Sequence, residues 1–79
     1  MHYLLFTTTS CPKCPEVKAY VLENINFDGV ILDETNPEFP DKASEYGVTM
    51  APTMIIFNDQ EEEVFRGSEV YEMEDFLKS

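Results

Sequence analysis

A helix-forming segment lies between the first two apolar runs of this sequence, and this arrangement restricts the fold more than any other feature. The first run, residues 2–7, and the second, residues 27–32, have the composition of buried strands. Between them, apolar residues recur at helical spacing from residue 12 to about residue 23, with Ser10 or Cys11 at the N-cap position. Two strands joined through a helix must run parallel, so the sequence predicts a parallel β-α-β unit.

A second helix follows the second apolar run. We expect it to begin near Pro37 or Pro40, because proline fits the first turn of a helix. It should end at Tyr46, since Gly47 is typical of the residue that terminates a helix.

The last third of the chain contains two more strand patterns and one more helix pattern. Residues 53–57 and 61–65 are typical of two strands joined by a tight hairpin. Residues 69–78 carry apolar side chains at helical spacing, with acidic residues early and a lysine late, which predicts an amphipathic terminal helix. The expected element order is therefore βαβαββα.

Size and charge limit what the chain can do. A chain of 79 residues has room for one domain, which we expect to span residues 1–79, and its 43% hydrophobic content can fill one core. A net charge of -11 repels phosphate backbones and anionic lipids, so it argues against nucleic-acid and membrane partners. The sequence shows no basic leader and no apolar run of roughly 18 residues. We expect a cytoplasmic monomer.

The segment Cys11-Pro12-Lys13-Cys14 is the strongest functional motif. It lies between a predicted strand and a predicted helix, where a CxxC pattern most often indicates redox chemistry. Cys11 near the helix N-terminus and Cys14 one turn later bring the two sulfurs within bonding reach. We expect the first sulfur to be exposed and the second to face inward. The helix dipole and the charge of Lys13 would stabilise the reactive thiolate.

Two structural interpretations of the cysteine pair compete with this one. A structural zinc site needs about four ligands, and beyond the cysteines the chain offers only His2 and carboxylates. Alternatively, the two cysteines are inert and unpaired. We expect His2, Lys18 and Glu34 to be solvent-exposed surface residues.

In the catalytic interpretation, Cys11 attacks a substrate disulfide and Cys14 then resolves the mixed disulfide, leaving the pair oxidised. The redox centre is then the Cys11–Cys14 disulfide itself, and we expect neither a metal nor another cofactor. Pro12 supports the site by fixing φ between the two cysteines.

A second segment, Val48-Thr49-Met50-Ala51-Pro52-Thr53 and the apolar run after it, resembles the approach to the third strand of the thioredoxin and glutaredoxin superfamily. With the CxxC motif, this resemblance extends over almost the whole chain. It implies the thioredoxin fold, a central four-stranded mixed sheet flanked by three helices. It also implies that Pro52 follows a cis peptide bond and faces the cysteine pair. In this family, the positions of Ala51, Thr53 and Gly67 belong to the substrate-binding groove.

The function implied by the resemblance is that of a dithiol electron carrier, a thiol–disulfide oxidoreductase that reduces protein disulfides. Regeneration of an enzyme such as a ribonucleotide reductase is one use, and the electron donor is either a thioredoxin-reductase-like enzyme or glutathione. Thioredoxins usually carry a buried aspartate in the first strand of this pattern, where this chain has Leu5, and glutaredoxins have a tyrosine where it has Lys13. A glutathione-dependent glutaredoxin and a non-catalytic binding module are the alternatives.

Overall fold

The computed structural model describes residues 1–78, and within them the predicted order of strands and helices is confirmed. Ser79, the last residue of the predicted domain, lies outside the described residues. The elements, in chain order, are β1 (His2–Thr7), α1 (Cys14–Asn24), β2 (Gly29–Asp33), α2 (Phe39–Tyr46), β3 (Thr53–Phe57), β4 (Glu63–Gly67) and α3 (Val70–Lys78).

The four strands form one mixed sheet in the order β2-β1-β3-β4. β1 and β2 are parallel, as the crossover through α1 requires, whereas β3 is antiparallel to both β1 and β4. At the carboxyl end of β1, Thr7 pairs with Asp33 of β2 and Phe6 pairs with Thr53 of β3. The cysteine loop therefore leaves β1 between the end of β2 and the start of β3.

The core lies on both faces of this sheet, because successive side chains of a strand point to opposite sides. One face is covered by α1 and α3, and the other by α2. The first cluster contains Tyr3, Leu5, Val17, Val21, Met54, Ile56 and Met73, and the second contains Phe6, Leu32, Ile55 and Phe57. β3 contributes to both clusters, and all five of its residues are buried.

The second strand is less buried than its apolar composition predicts. In β2, only Leu32 is buried, and the side chain of Val30 is 50% exposed. The physical reason is the strand order, which places β2 at one edge of the sheet. An edge strand has a neighbour on one side only, and here the helices cover it incompletely.

The first helix begins later than expected, at Cys14, with Lys13 as its N-cap, so the prediction of Ser10 or Cys11 at that position is wrong. The Val17 N–H donates to the Lys13 carbonyl oxygen, so the hydrogen-bond pattern of the helix starts at Lys13. The N–H of Cys11 instead donates to the Thr8 carbonyl oxygen in a turn before the helix.

The other boundaries lie within two residues of the predicted ones, with the largest shifts in β2, which begins at Gly29 rather than residue 27, and in β4. Gly47 ends α2 with a left-handed φ of 67°, as its position predicted. The β3–β4 connection is a longer loop than the tight hairpin expected, since the Asn58 N–H donates to the Glu62 carbonyl oxygen and Glu61 has a φ of 64°. β4 consequently begins at Glu63 and extends through Gly67, two residues beyond the predicted end.

Candidate active site

The loop between β1 and α1 gives the two cysteines different surroundings. Cys11 lies in the turn before the helix and is partly exposed, whereas Cys14, the first residue of α1, is only 5% exposed. Cys14 and Val17 belong to the buried face of α1, which packs against the sheet. The sequence-based expectation of one accessible and one inward-facing sulfur matches this placement.

The two sulfurs are close enough to interact directly. Both cysteines are free thiols, and their side chains are hydrogen-bonded to each other. Burial, and next this hydrogen bond, raise the pKa of Cys14 to about 11, while a hydrogen bond with the Thr8 backbone acts in the opposite direction. A thiol with such a pKa keeps its proton at neutral pH, so Cys14 can donate this hydrogen bond when Cys11 is a thiolate.

This difference predicts selective alkylation of the reduced protein. At pH 7 we expect iodoacetamide to modify Cys11 well before Cys14, because Cys14 is buried and protonated. The reactivity of Cys14 should rise only as the pH approaches its pKa of about 11. Peptide mass mapping after short exposures measures both rates, and unfolding in urea provides the control, where both cysteines should react alike. Equal labelling of the folded protein at pH 7 would contradict this assignment.

A groove of about 360 Å³ runs beside the exposed sulfur. One side is formed by Cys11 and Pro12, the other by Met50 and Ala51, and Phe39 of α2 also lines it. The peptide bond between Ala51 and the buried Pro52 is cis, as the resemblance implied. The structure thus brings the cysteine motif and the second sequence segment together at one groove.

The other two residues predicted for substrate binding line a different cavity. Thr53 and Gly67 border a smaller space of about 200 Å³, and residues 48–50 line both this cavity and the groove. Thr53 is buried, and its Oγ1 donates to the Met50 carbonyl oxygen over 2.6 Å. This hydrogen bond holds the backbone of Met50, which lines the groove beside Cys11.

Lys13 does not supply the free positive charge that the sequence suggested. Its Nζ lies 2.6 Å from Oε1 of Glu69, immediately before α3, and this contact, first as a hydrogen bond and then as a charge pair, raises the pKa of Lys13. Because Glu69 neutralises the ammonium group, Lys13 contributes little net field at Cys11. The ion pair instead ties the cysteine loop to α3.

A second contact that holds the same loop was not predicted from the sequence. The N–H and the hydroxyl of Thr9 both donate to Oε1 of Glu34, just after β2. The hydroxyl bond, followed by the backbone bond, lowers the pKa of Glu34, so its carboxylate stays ionised at neutral pH. Glu34 is exposed, as expected, but it positions the cysteine loop.

In the described part of the chain, no three His, Cys, Asp or Glu side chains converge closely enough to hold a metal ion. Within residues 1–78, no helix combines the length and apolar character that crossing a membrane requires.

Residues 1–78 match the family model described as Thioredoxin domain. The chain belongs to the thioredoxin family. A similar relative is a protein named thioredoxin from Methanocaldococcus jannaschii, 43% identical over 60 residues, which cover 72% of this chain and 71% of that protein. Family membership supports thiol–disulfide exchange as the chemistry of this site.

Solved thioredoxin structures share the architecture. Thioredoxin 1 from Thermosipho africanus superimposes with a TM-score of 0.70 at 21% identity, over 99% of this chain and 88% of that one. A thioredoxin from Thermus thermophilus gives the same TM-score at 24% identity, over 98% and 68% of the two chains. The predicted thioredoxin fold is thus confirmed.

The first strand of this family member has no acidic group beneath the cysteines. Leu5 is fully buried and packs in the same cluster as Val17 and Met54. Groups that help Cys14 lose its proton must therefore come from elsewhere around the loop.

Proposed function

We propose that this protein is a cytoplasmic dithiol electron carrier that reduces disulfides in other proteins. The observation that carries this proposal is the pairing of a partly exposed Cys11, which lines a groove, with a buried, hydrogen-bonded Cys14. An exposed sulfur can reach a partner's disulfide, and a neighbouring sulfur can release that partner afterwards. The thioredoxin family relationship supports the same chemistry.

The reaction proceeds in two exchange steps. First, the Cys11 thiolate attacks one sulfur of the substrate disulfide, forming a mixed disulfide and expelling the other substrate sulfur as a thiolate. Cys14 then loses its proton and attacks Cys11 Sγ, which breaks the mixed disulfide and expels the second substrate thiolate. Both leaving thiolates take up protons. The substrate gains two electrons, and the redox centre becomes a Cys11–Cys14 disulfide without any other cofactor.

The groove suits an extended segment of the substrate. Ala51 lies across it from Cys11, and Met50 beside it is 61% exposed, which offers an apolar contact next to the sulfur. An extended peptide laid along Ala51 can use backbone hydrogen bonds for affinity. The net charge of -11 favours substrates with a basic face around the disulfide.

The electron donor we propose is a thioredoxin-reductase-like enzyme rather than glutathione. The residues that loosely resemble a glutathione-binding site are Gly67, Ser68 and Glu69, and the N–H groups of Ser68 and Glu69 both donate to Oε1 of Glu72. A carboxylate of this chain thus already occupies these donors. Glutathione would have to displace it to place its own carboxylate there.

Coupled turnover tests the function and the donor together. With insulin as the disulfide substrate, we expect rapid turnover with NADPH and a thioredoxin reductase. The turnover rate with glutathione should be at most about one tenth of that rate. NADPH consumption measures the first, and glutathione disulfide formation the second. Turnover with glutathione alone at the reductase rate would favour a glutaredoxin, and no turnover with either donor would favour a binding module.

The Glu72→Ala variant tests the reason for the donor preference. This substitution frees the N–H groups of Ser68 and Glu69. It should raise the rate of turnover with glutathione and leave the reductase-coupled rate unchanged. Glu74→Ala is the matched control, since it removes the same charge from α3 and breaks only an exposed pair with Lys78. An increase in both variants would indicate a general charge effect.

A further inference from the structure

A cavity beside the buried sulfur is lined by one basic side chain, that of Lys18. It has a volume of about 380 Å³ and is lined by both cysteines, Lys18 and Asp33. Lys18 follows Cys14 by four residues on α1, and residues with this spacing lie next to each other on one helix face. Asp33 enters from the end of β2, where it pairs with Thr7 of β1. Two strands and one helix thus bring the side chain of Lys18 to a cavity that it shares with the cysteine pair.

Lys18 is unusual among the basic residues of this acidic chain. The other four each lie within 4.0 Å of a carboxylate, as shown by the pairs Lys13–Glu69, Lys42–Glu45, Arg66–Glu63 and Lys78–Glu74. No such close pair is found for Lys18 among residues 1–78. Lys18 interacts with Asp33 only through a weaker charge attraction. This attraction helps lower the pKa of the Asp33 carboxyl group, but hydrogen bonds from Thr35 have the larger effect. The ammonium charge of Lys18 thus remains available to the cavity.

The second exchange step is favoured by a positive charge at this place. Cys14 must become a thiolate there, but burial opposes its ionisation, and Leu5 leaves no acid–base group beneath it. The titratable groups that share the cavity with Cys14 are Cys11, Lys18 and Asp33, and on the α3 side Glu69 is paired with Lys13. Asp33 is a weak base because its carboxylate accepts two hydrogen bonds from Thr35. Lys18 is the one group among these that favours a negative sulfur.

We propose that Lys18 stabilises the thiolate of Cys14 and thereby accelerates resolution of the mixed disulfide. This inference rests on the proposed oxidoreductase function and assigns a residue to its second step. The ammonium group keeps its proton throughout. It lowers the free energy of the charged sulfur that attacks Cys11 Sγ, while the proton leaves Cys14 to water in the open cavity.

A single-turnover experiment separates the two steps. The reduced protein is mixed with 2,2′-dithiodipyridine, a neutral disulfide that releases one thiopyridone in each step, and absorbance is followed by stopped flow. Working near pH 6 keeps the second phase slow, because Cys14 is then protonated. In Lys18→Gln we expect the second phase to slow about fivefold or more, with a smaller change in the first. The rise of the second rate with pH should also move to higher pH.

Three further variants make the result specific. Lys18→Arg keeps the charge and should keep a rapid second phase. Lys42→Gln removes the same charge from α2, away from the cavity, and should leave both phases unchanged. Asp33→Asn should not slow the second phase, whereas a marked slowing would identify Asp33 as the proton acceptor and overturn the proposal.

The outcomes also distinguish this inference from the proposed function. If the wild-type protein releases two thiopyridones and Lys18→Gln resolves as fast as wild type, the role of Lys18 is wrong and the function stands. Equal slowing of both phases would show only a general charge effect and would likewise reject the role. If the wild-type protein releases no thiopyridone, the proposed function itself fails.

Discussion

Replacing Cys11 with serine should abolish disulfide reduction, while replacing Cys14 with serine should leave a protein that captures its substrate and cannot release it. The exposed sulfur forms the first bond to the substrate, so without Cys11 no covalent intermediate arises. Cys14 lies behind it and has access mainly to Cys11. Its loss blocks resolution and removes turnover, but it spares the attack.

Mass spectrometry distinguishes the two variants directly. After incubation with a disulfide substrate, Cys14→Ser should gain the mass of one substrate fragment, which dithiothreitol then removes, and Cys11→Ser should gain none. Insulin reduction coupled to a reductase should fall to background in both. Full turnover by either variant would reverse or remove the assigned roles. A stable adduct on Cys14 in the Cys11→Ser protein would show that the inner sulfur can be reached from outside.

The second large effect concerns stability. Phe6→Ala should destabilise the fold by about 3–5 kcal/mol, because Phe6 is fully buried and its removal leaves a cavity between the sheet and α2. Its ring packs edge-on against Phe39, with centroids 5.6 Å apart. The total stability of a chain of 79 residues is typically about 4–12 kcal/mol. A loss of this size is a large fraction of that total, so the variant should unfold at a much lower urea concentration than the wild-type protein.

Urea denaturation followed by circular dichroism measures this loss. Val30→Ala is the control: it also shortens an apolar side chain in a strand, but that side chain is half-exposed. We expect it to cost less than about 1 kcal/mol. Similar urea midpoints for the two variants would mean that the face of the sheet under α2 is not a packed core.

The element order and the cysteine geometry could be predicted because both depend on local patterns. Apolar spacing identified the strands and helices, and the CxxC spacing placed one sulfur outside and one inside. The exposure of Val30 could not be predicted from its apolar run, because burial on an edge strand depends on strand order. The start of α1 was misplaced because the residues before it form a separate turn, in which the Cys11 N–H donates to the Thr8 carbonyl oxygen.

The contacts around the cysteine loop were less accessible to sequence analysis. Lys13 and Glu69 are 56 residues apart, and Thr9 and Glu34 are 25 apart, so nothing local signals either pair. Lys18 appeared to be an ordinary surface lysine, since only the folded chain shows that it shares a cavity with both cysteines. The spacing of Cys14 and Lys18 was visible in the sequence, but the sequence did not show that Lys18 has no close carboxylate partner among residues 1–78.

The two sides of the groove beside Cys11 are built differently. The Ala51 side leads directly into β3, whose residues are all buried, and Thr53 braces it from behind. The cysteine side is a short loop held by two surface carboxylates, those of Glu34 and Glu69. A bound substrate segment therefore contacts a rigid side of the groove at Ala51 and a less rigid side at the cysteine loop. We expect small shifts of the loop that carries Cys11 to accommodate substrates of different bulk.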